Sequence, residues 1–175
     1  AESDVPDIQF FFMPFSAEGL AGELVREPSF QLACYQTLPE SRGSVRIVSA
    51  EFRDAPRIVA NYLSTPKDAR AAIEGLKFLG KIGAATPLKK WNAREVLPSN
   101  YENSDEGLLA YARQEGSTAY HHVGTCRMGD DDLAVVDHRL KVRGLANVRV
   151  ADGSIMPTLI SGNTNAACIM IGEKC

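Results

Sequence analysis

Two histidines stand side by side in the run Tyr120-His121-His122-Val123-Gly124-Thr125-Cys126-Arg127-Met128-Gly129. Further along, Asn163 and Asn165 bracket Thr164. A free imidazole has a pKa of ~6.5, so its neutral form accepts a proton near physiological pH. A side-chain amide can hydrogen-bond a substrate oxygen while staying uncharged. Together such groups suit removal of a hydroxyl proton and support of the alkoxide that forms. Completing an oxidation would then require a cofactor, because no side chain accepts a hydride. Singly, each residue also has a plainer reading. One histidine can be exposed and its neighbour packed in a loop, and the asparagines can be helix caps.

Competing chemistry finds little support. The stretch Gly75 to Lys81 imitates a phosphate loop, but Ile82 stands where Ser or Thr is required and the run falls inside an amphipathic pattern. Cys34, Cys126, Cys168 and Cys175 lack metal-like spacing, and Cys126 has no local support as a nucleophile beyond the nearby histidines. His138 reads as a turn residue.

The elements that must position these groups are mixed. Asp7 to Met13 is strand-like and ends at Pro14; Ser16 to Glu27 reads as a loop. Phe30 to Thr37 reads as a strand with Phe30, Leu32 and Cys34 on one face. Turn residues Pro39 to Gly43 precede a returning strand, Val45 to Ser49, and Pro56 to Leu63 is a third short extended piece. Their closeness in sequence favours an antiparallel sheet. The spacing of Ile73, Leu76, Leu79 and Ile82 predicts a helix over Pro66 to Ala84, capped by Thr65, with Asp68 at the capping-box position. A short helix is expected from Asn92, and another from Ser104 to Gln114. Val148 to Asp152 reads as a strand and Asn163 to Glu173 as an apolar helix.

With 45% hydrophobic and 23% charged residues, the 175-residue chain has the composition of an ordinary globular protein, one domain and an appendage. A net charge of −3 gives no reason to expect nucleic acid as a partner. No apolar run approaches a membrane span, no secretory signal is visible, and the scattered thiols point to the cytoplasm or the inner face of a membrane.

In combination the motifs say more. His-x-x-Gly-Thr-Cys-x-Met-Gly is followed by Val-Val-Asp-x-x-Leu-x-Val-x-Gly, then Arg-Val-Ala-Asp-Gly-Ser-Ile-Met-Pro, then Asn-x-Asn. This order resembles the C-terminal signature of the glucose–methanol–choline (GMC) flavin oxidoreductases, and Leu38 to Val45 and Asn61 to Ser64 are similar too. The resemblance implies an α+β fold: an antiparallel sheet flanked by helices, then a βα segment belonging to a flavin domain. It implies a substrate-binding domain over 1–127 and a segment over 128–175 completing the FAD-binding domain. His121 matches the family's base and His122 a variable, structural position. Asn163 matches the second catalytic group, in a choice resembling the choline dehydrogenase branch. Thr164 and Asn165 match the helix start that meets the flavin, where free backbone N–H groups favour negative charge. Asp152 and Gly153 match the strand end beside the cofactor.

The implied activity is FAD-dependent oxidation of a primary alcohol to an aldehyde. A lyase or decarboxylase on the same scaffold, or a non-catalytic module pairing with a separate flavin-binding chain, are the alternatives. The Gly-x-Gly-x-x-Gly fingerprint of the dinucleotide is absent, so the N-terminal FAD-binding region is an expected partner and the chain alone is expected to be inactive. Phe10, Phe12, Phe15 and Tyr35 could cage a quaternary ammonium, but aromatic residues at period two in strands are more often core. Apolar residues across 148–175, from Val148 to Ile171, need cover. Fold-back onto the sheet domain, disorder or self-association could each meet that need, and self-association is the expectation.

Overall fold

The computed structural model describes residues 4–17, 23–91, 94–98 and 101–175. The chain divides into two compact units, one formed by Ala1–Ser41 with Leu63–Ala119, the other by Arg42–Tyr62 with Tyr120–Cys175. Both mix helices with small antiparallel sheets, as the α+β reading anticipates.

In the first unit, β1 (Ile8–Met13) and β2 (Gln31–Gln36) pair antiparallel, with Ile8 opposite Gln36 and Met13 opposite Gln31. Alternation sends Leu32 and Cys34 to one face, where α1 (Pro66–Gly83) packs. The crossing is close. A methyl group on Gly75 would lie 2.8 Å from Cys34 Sγ, so this glycine serves helix–strand packing and not phosphate binding. Burial there pushes the Cys34 thiol up to about 11. Phe10 packs on Phe78, Phe12 on Phe30, and Tyr35 on Phe11 with its hydroxyl donating to Gln9. These aromatic residues are engaged in their own unit's packing.

Thr65 caps α1 as its sequence indicates, its hydroxyl accepting from the Asp68 amide at 3.2 Å. Asp68 does something the capping-box pattern does not suggest. Its carboxylate, 2% exposed, accepts from the Glu40 amide (2.9 Å), the Ser41 amide (2.7 Å) and the Ser41 hydroxyl. A buried carboxylate needs several donors, and the 40–41 turn offers more of them than a helix start does. The turn chemistry of Pro39 to Gly43 therefore anchors α1 and makes no hairpin with β2.

Helix α2 (Thr86–Lys89) follows closely, with Pro87 as its second residue. Proline fits a first turn as well as it ends a preceding helix. The helix expected from Asn92 falls partly outside the described residues, and 94–98 are not helical. Helix α3 (Asp105–Glu115) starts after Ser104, whose hydroxyl accepts from the Gly107 amide at 3.1 Å. It packs on α1, with Lys77 and Asp105 paired at 2.8 Å.

In the second unit β3 (Ser44–Arg46) pairs with β4 (Arg57–Val59), not with β2. Gly43 permits this ladder's close approach, since a methyl group there would sit 2.2 Å from the Val59 carbonyl oxygen. The core gathers Ile155, Met156 and Ile171 around Val136, which is fully buried. Ile171 comes from α4 (Asn165–Lys174). Val148 to Asp152 forms no strand; a single bridge joins Arg149 to Lys141, because among the described residues no longer strand lies alongside to continue a ladder. The tail thus buries part of its apolar surface within its own unit, while Val148, Ile169 and Met170 remain exposed.

Candidate active site

The second unit brings the chemical residues together by lacing one motif along another. The Cys126 amide donates to the Ser154 carbonyl at 3.0 Å, and the Met128 amide to the Ile155 carbonyl at 2.8 Å. Gly124 makes the preceding turn at φ +89°, a conformation side chains disfavour, and a methyl group there would meet the Met156 carbonyl oxygen at 3.2 Å. That turn fixes where the loop carrying His121 leaves the core. Beyond it, Arg127 forms a two-pronged pair with Asp131, which holds the Asp131 carboxyl at about 2.

His121 then meets the residues that lead into α4. Its Nε2 lies 3.2 Å from Asn163 Oδ1, and its Nδ1 lies 3.4 Å from the Thr164 hydroxyl. Thr164 is buried and is the residue before α4, yet its side chain caps nothing. A threonine at that position ordinarily accepts from a backbone amide; here the hydroxyl faces the imidazole. Thr164 thus spends its hydroxyl on the imidazole and not on the start of α4. Asn165, the first residue of the helix, is exposed beside it.

Asp152 is exposed and caps a single 3₁₀ turn, Gly153–Ile155, accepting from the Ser154 amide at 2.7 Å. Bonds from the Ser154 hydroxyl and amide hold its carboxyl below the usual range. Gly153 faces inward: a methyl group there would lie 3.1 Å from Cys168 Sγ on α4. The close approach this glycine permits is to the helix. Of the residues singled out in the sequence, His121, Asn163 and Thr164 converge, Asn165 adjoins them, and Asp152–Gly153 lie on the segment to which the His121 loop is laced.

One contact had little signal in the sequence. Tyr62 Oη and His122 Nε2 form a hydrogen bond, and their rings lie 5.7 Å apart. Only the Asn-Tyr-Leu-Ser run pointed toward Tyr62.

Residues 39–172 match the family model for GMC oxidoreductases. The chain belongs to the GMC oxidoreductase family. It is 43% identical over 173 residues to an alcohol dehydrogenase [acceptor] of Pseudomonas putida, covering 99% of this chain and 31% of that protein. It is 40% identical over 169 residues to an oxygen-dependent choline dehydrogenase of Citrobacter koseri, covering 97% and 30%. Among solved GMC structures, pyridoxine 4-oxidase from Mesorbium loti superimposes with a TM-score of 0.84 at 35% identity, over 96% of this chain and 33% of that one. A formate oxidase of Aspergillus oryzae RIB40, solved to follow FAD modification, gives 0.83 at 25% identity, over 98% and 31%. The chain therefore spans about a third of the length of the curated relatives it matches, and it corresponds to their C-terminal part.

Proposed function

We propose that this chain is the C-terminal part of an FAD-dependent enzyme that oxidises a primary alcohol to an aldehyde. The convergence of His121 Nε2 on Asn163, 3.2 Å apart, carries the reading. In it, residues 1–127 contribute the substrate-binding domain and 128–175 complete the FAD-binding domain. The N-terminal end of α4 beside His121 fits a flavin, which supplies the hydride acceptor when bound. Asn165, Thr164 and the Asp152–Gly153 turn are the cofactor-side residues.

His121 can act as a base only in one tautomer. If Nδ1–H donates to the Thr164 hydroxyl oxygen, Nε2 is left with a lone pair for the alcohol proton. In that tautomer the Asn163 amide turns over, replacing the Oδ1 that faces Nε2 in the resting structure by its N–H, which then steadies the alkoxide oxygen. Thr164 is thus assigned a second role, setting the proton on the base. Replacing it by valine, which keeps the shape and removes the hydroxyl, is expected to slow anaerobic flavin reduction in the full-length enzyme about tenfold. Thr164→Ser should restore most of the rate; equal rates in all three proteins would refute the role.

The partners in this reading are a small alcohol and the N-terminal FAD-binding region, with the cytoplasm as the site of action. The exposed apolar residues Val148, Ile169 and Met170 offer a surface for that region or for self-association. Two measurements test the proposal. Full-length enzyme mixed anaerobically with a series of primary alcohols should lose its oxidised-flavin absorbance, and failure with every alcohol counts against it. The isolated chain, lacking a dinucleotide fingerprint, should bind FAD weakly in a calorimetric titration; tight stoichiometric binding would contradict the assigned division of labour.

A further inference from the structure

Tyr62 and His122 are 60 residues apart in sequence, yet they share a hydrogen bond and a ring contact with an interplanar angle of 31°. Both side chains are exposed, so core packing does not force them together. The backbone around them is unusual. Asn61 and Leu63, on either side of Tyr62, have φ of +55° and +52°, and Tyr120, two residues before His122, has φ of +58°. None is glycine, and L-residues disfavour this region. Such conformations persist where surrounding structure holds them, often at functional sites. Asn61 is held by its amide donating to the Arg42 carbonyl at 2.9 Å, and the ladder leading to it rests on the close approach at Gly43. Two constrained loops thus present one aromatic ring to one imidazole.

That imidazole belongs to the residue next to His121. The peptide linking them is planar, so fixing the ring of His122 restricts rotation of the backbone that aims His121. We infer that Tyr62 and His122 form a positioning pair that holds the 120–122 loop so that the His121 ring meets Asn163. The inference rests on the reading of His121 as the base, and neither member of the pair touches the reacting atoms. His121 is then fixed from three sides: Asn163 at Nε2, Thr164 at Nδ1, and Tyr62 through the neighbouring residue.

The test is a double-mutant cycle in the full-length flavoenzyme, using Tyr62→Phe, His122→Ala and both together. Each single change should lower the limiting rate of flavin reduction about tenfold while the apparent alcohol dissociation constant stays within about twofold. The double variant should be no slower than the slower single one. His122→Gln, whose carbonyl can accept from the tyrosine hydroxyl, should recover part of the rate. Hydrogen exchange of the peptide containing 120–123 should speed up in Tyr62→Phe, with or without substrate. Multiplying rate losses, or unchanged exchange and reduction in Tyr62→Phe, would overturn the pair. If instead His121→Ala reduces flavin normally while the exchange result stands, the base assignment fails and the loop clamp survives.

Discussion

Replacing His121 by alanine in the full-length enzyme is expected to slow flavin reduction by alcohol by roughly four orders of magnitude or more. General acid–base catalysis alone supplies about 10²–10⁴. The additional loss comes from position, since the ring, anchored between Asn163 and Thr164, also fixes where the hydroxyl sits. Stopped-flow reduction under anaerobic conditions reads the effect directly, because it isolates the first half-reaction from the electron acceptor. The variant should still hold its FAD, which separates lost chemistry from lost folding. A reduction rate equal to wild type would falsify the assignment of His121 as the base.

The second large effect should appear in stability. Asp68→Ala removes one carboxylate that serves the Glu40 amide, the Ser41 amide and the Ser41 hydroxyl. Donors left without a partner in a partly buried turn cost about 1–3 kcal/mol each, so a loss of roughly 2–4 kcal/mol is expected for the first unit. Burial alone would push the Asp68 carboxyl up; the bonds from Ser41, Glu40 and Gln36 outweigh it and hold the group below its ordinary value. A carboxyl lowered in the folded state contributes stability that is complete above its unfolded pKa. That contribution fades as pH falls through the folded value. Wild-type protein should therefore lose stability on acidification through the carboxylate range more steeply than Asp68→Ala does. Urea titrations across that range check both points, and parallel pH profiles would sink the second.

Asp68 also shows where sequence reading stops. Local pattern identified Thr65 and Ser104 as caps, and both hydroxyls accept from the amide three residues on, because capping is settled within a single turn. The amphipathic period of α1 was equally plain. The Asp68 carboxylate was assigned by the same local logic, but burial made it answer to residues 27 and 28 positions away. Strand pairing failed for a related reason. The turn chemistry of 39–43 suggested a hairpin, whereas Gly43 lets its strand run against Val59 instead. Val148 to Asp152 has the composition of a strand but, among the described residues, only one bridging neighbour. The meeting of His121 with Asn163 was legible through the resemblance to a family, not from periodicity. Tyr62 lay in a quoted motif, but nothing in its type or spacing announced a tie to His122.

The segment Arg42–Tyr62 leaves one compact unit, builds its ladder in the other, and returns at Leu63. No single cut in the polypeptide can therefore separate the two units. A chain ended at Ala119 would carry this segment away from the residues it packs with, stranding Tyr62 without His122. A chain begun at Tyr120 would lack the segment altogether. Genetic dissection of this protein into independently expressed halves would have to move residues 42–62 by permutation or supply them in trans.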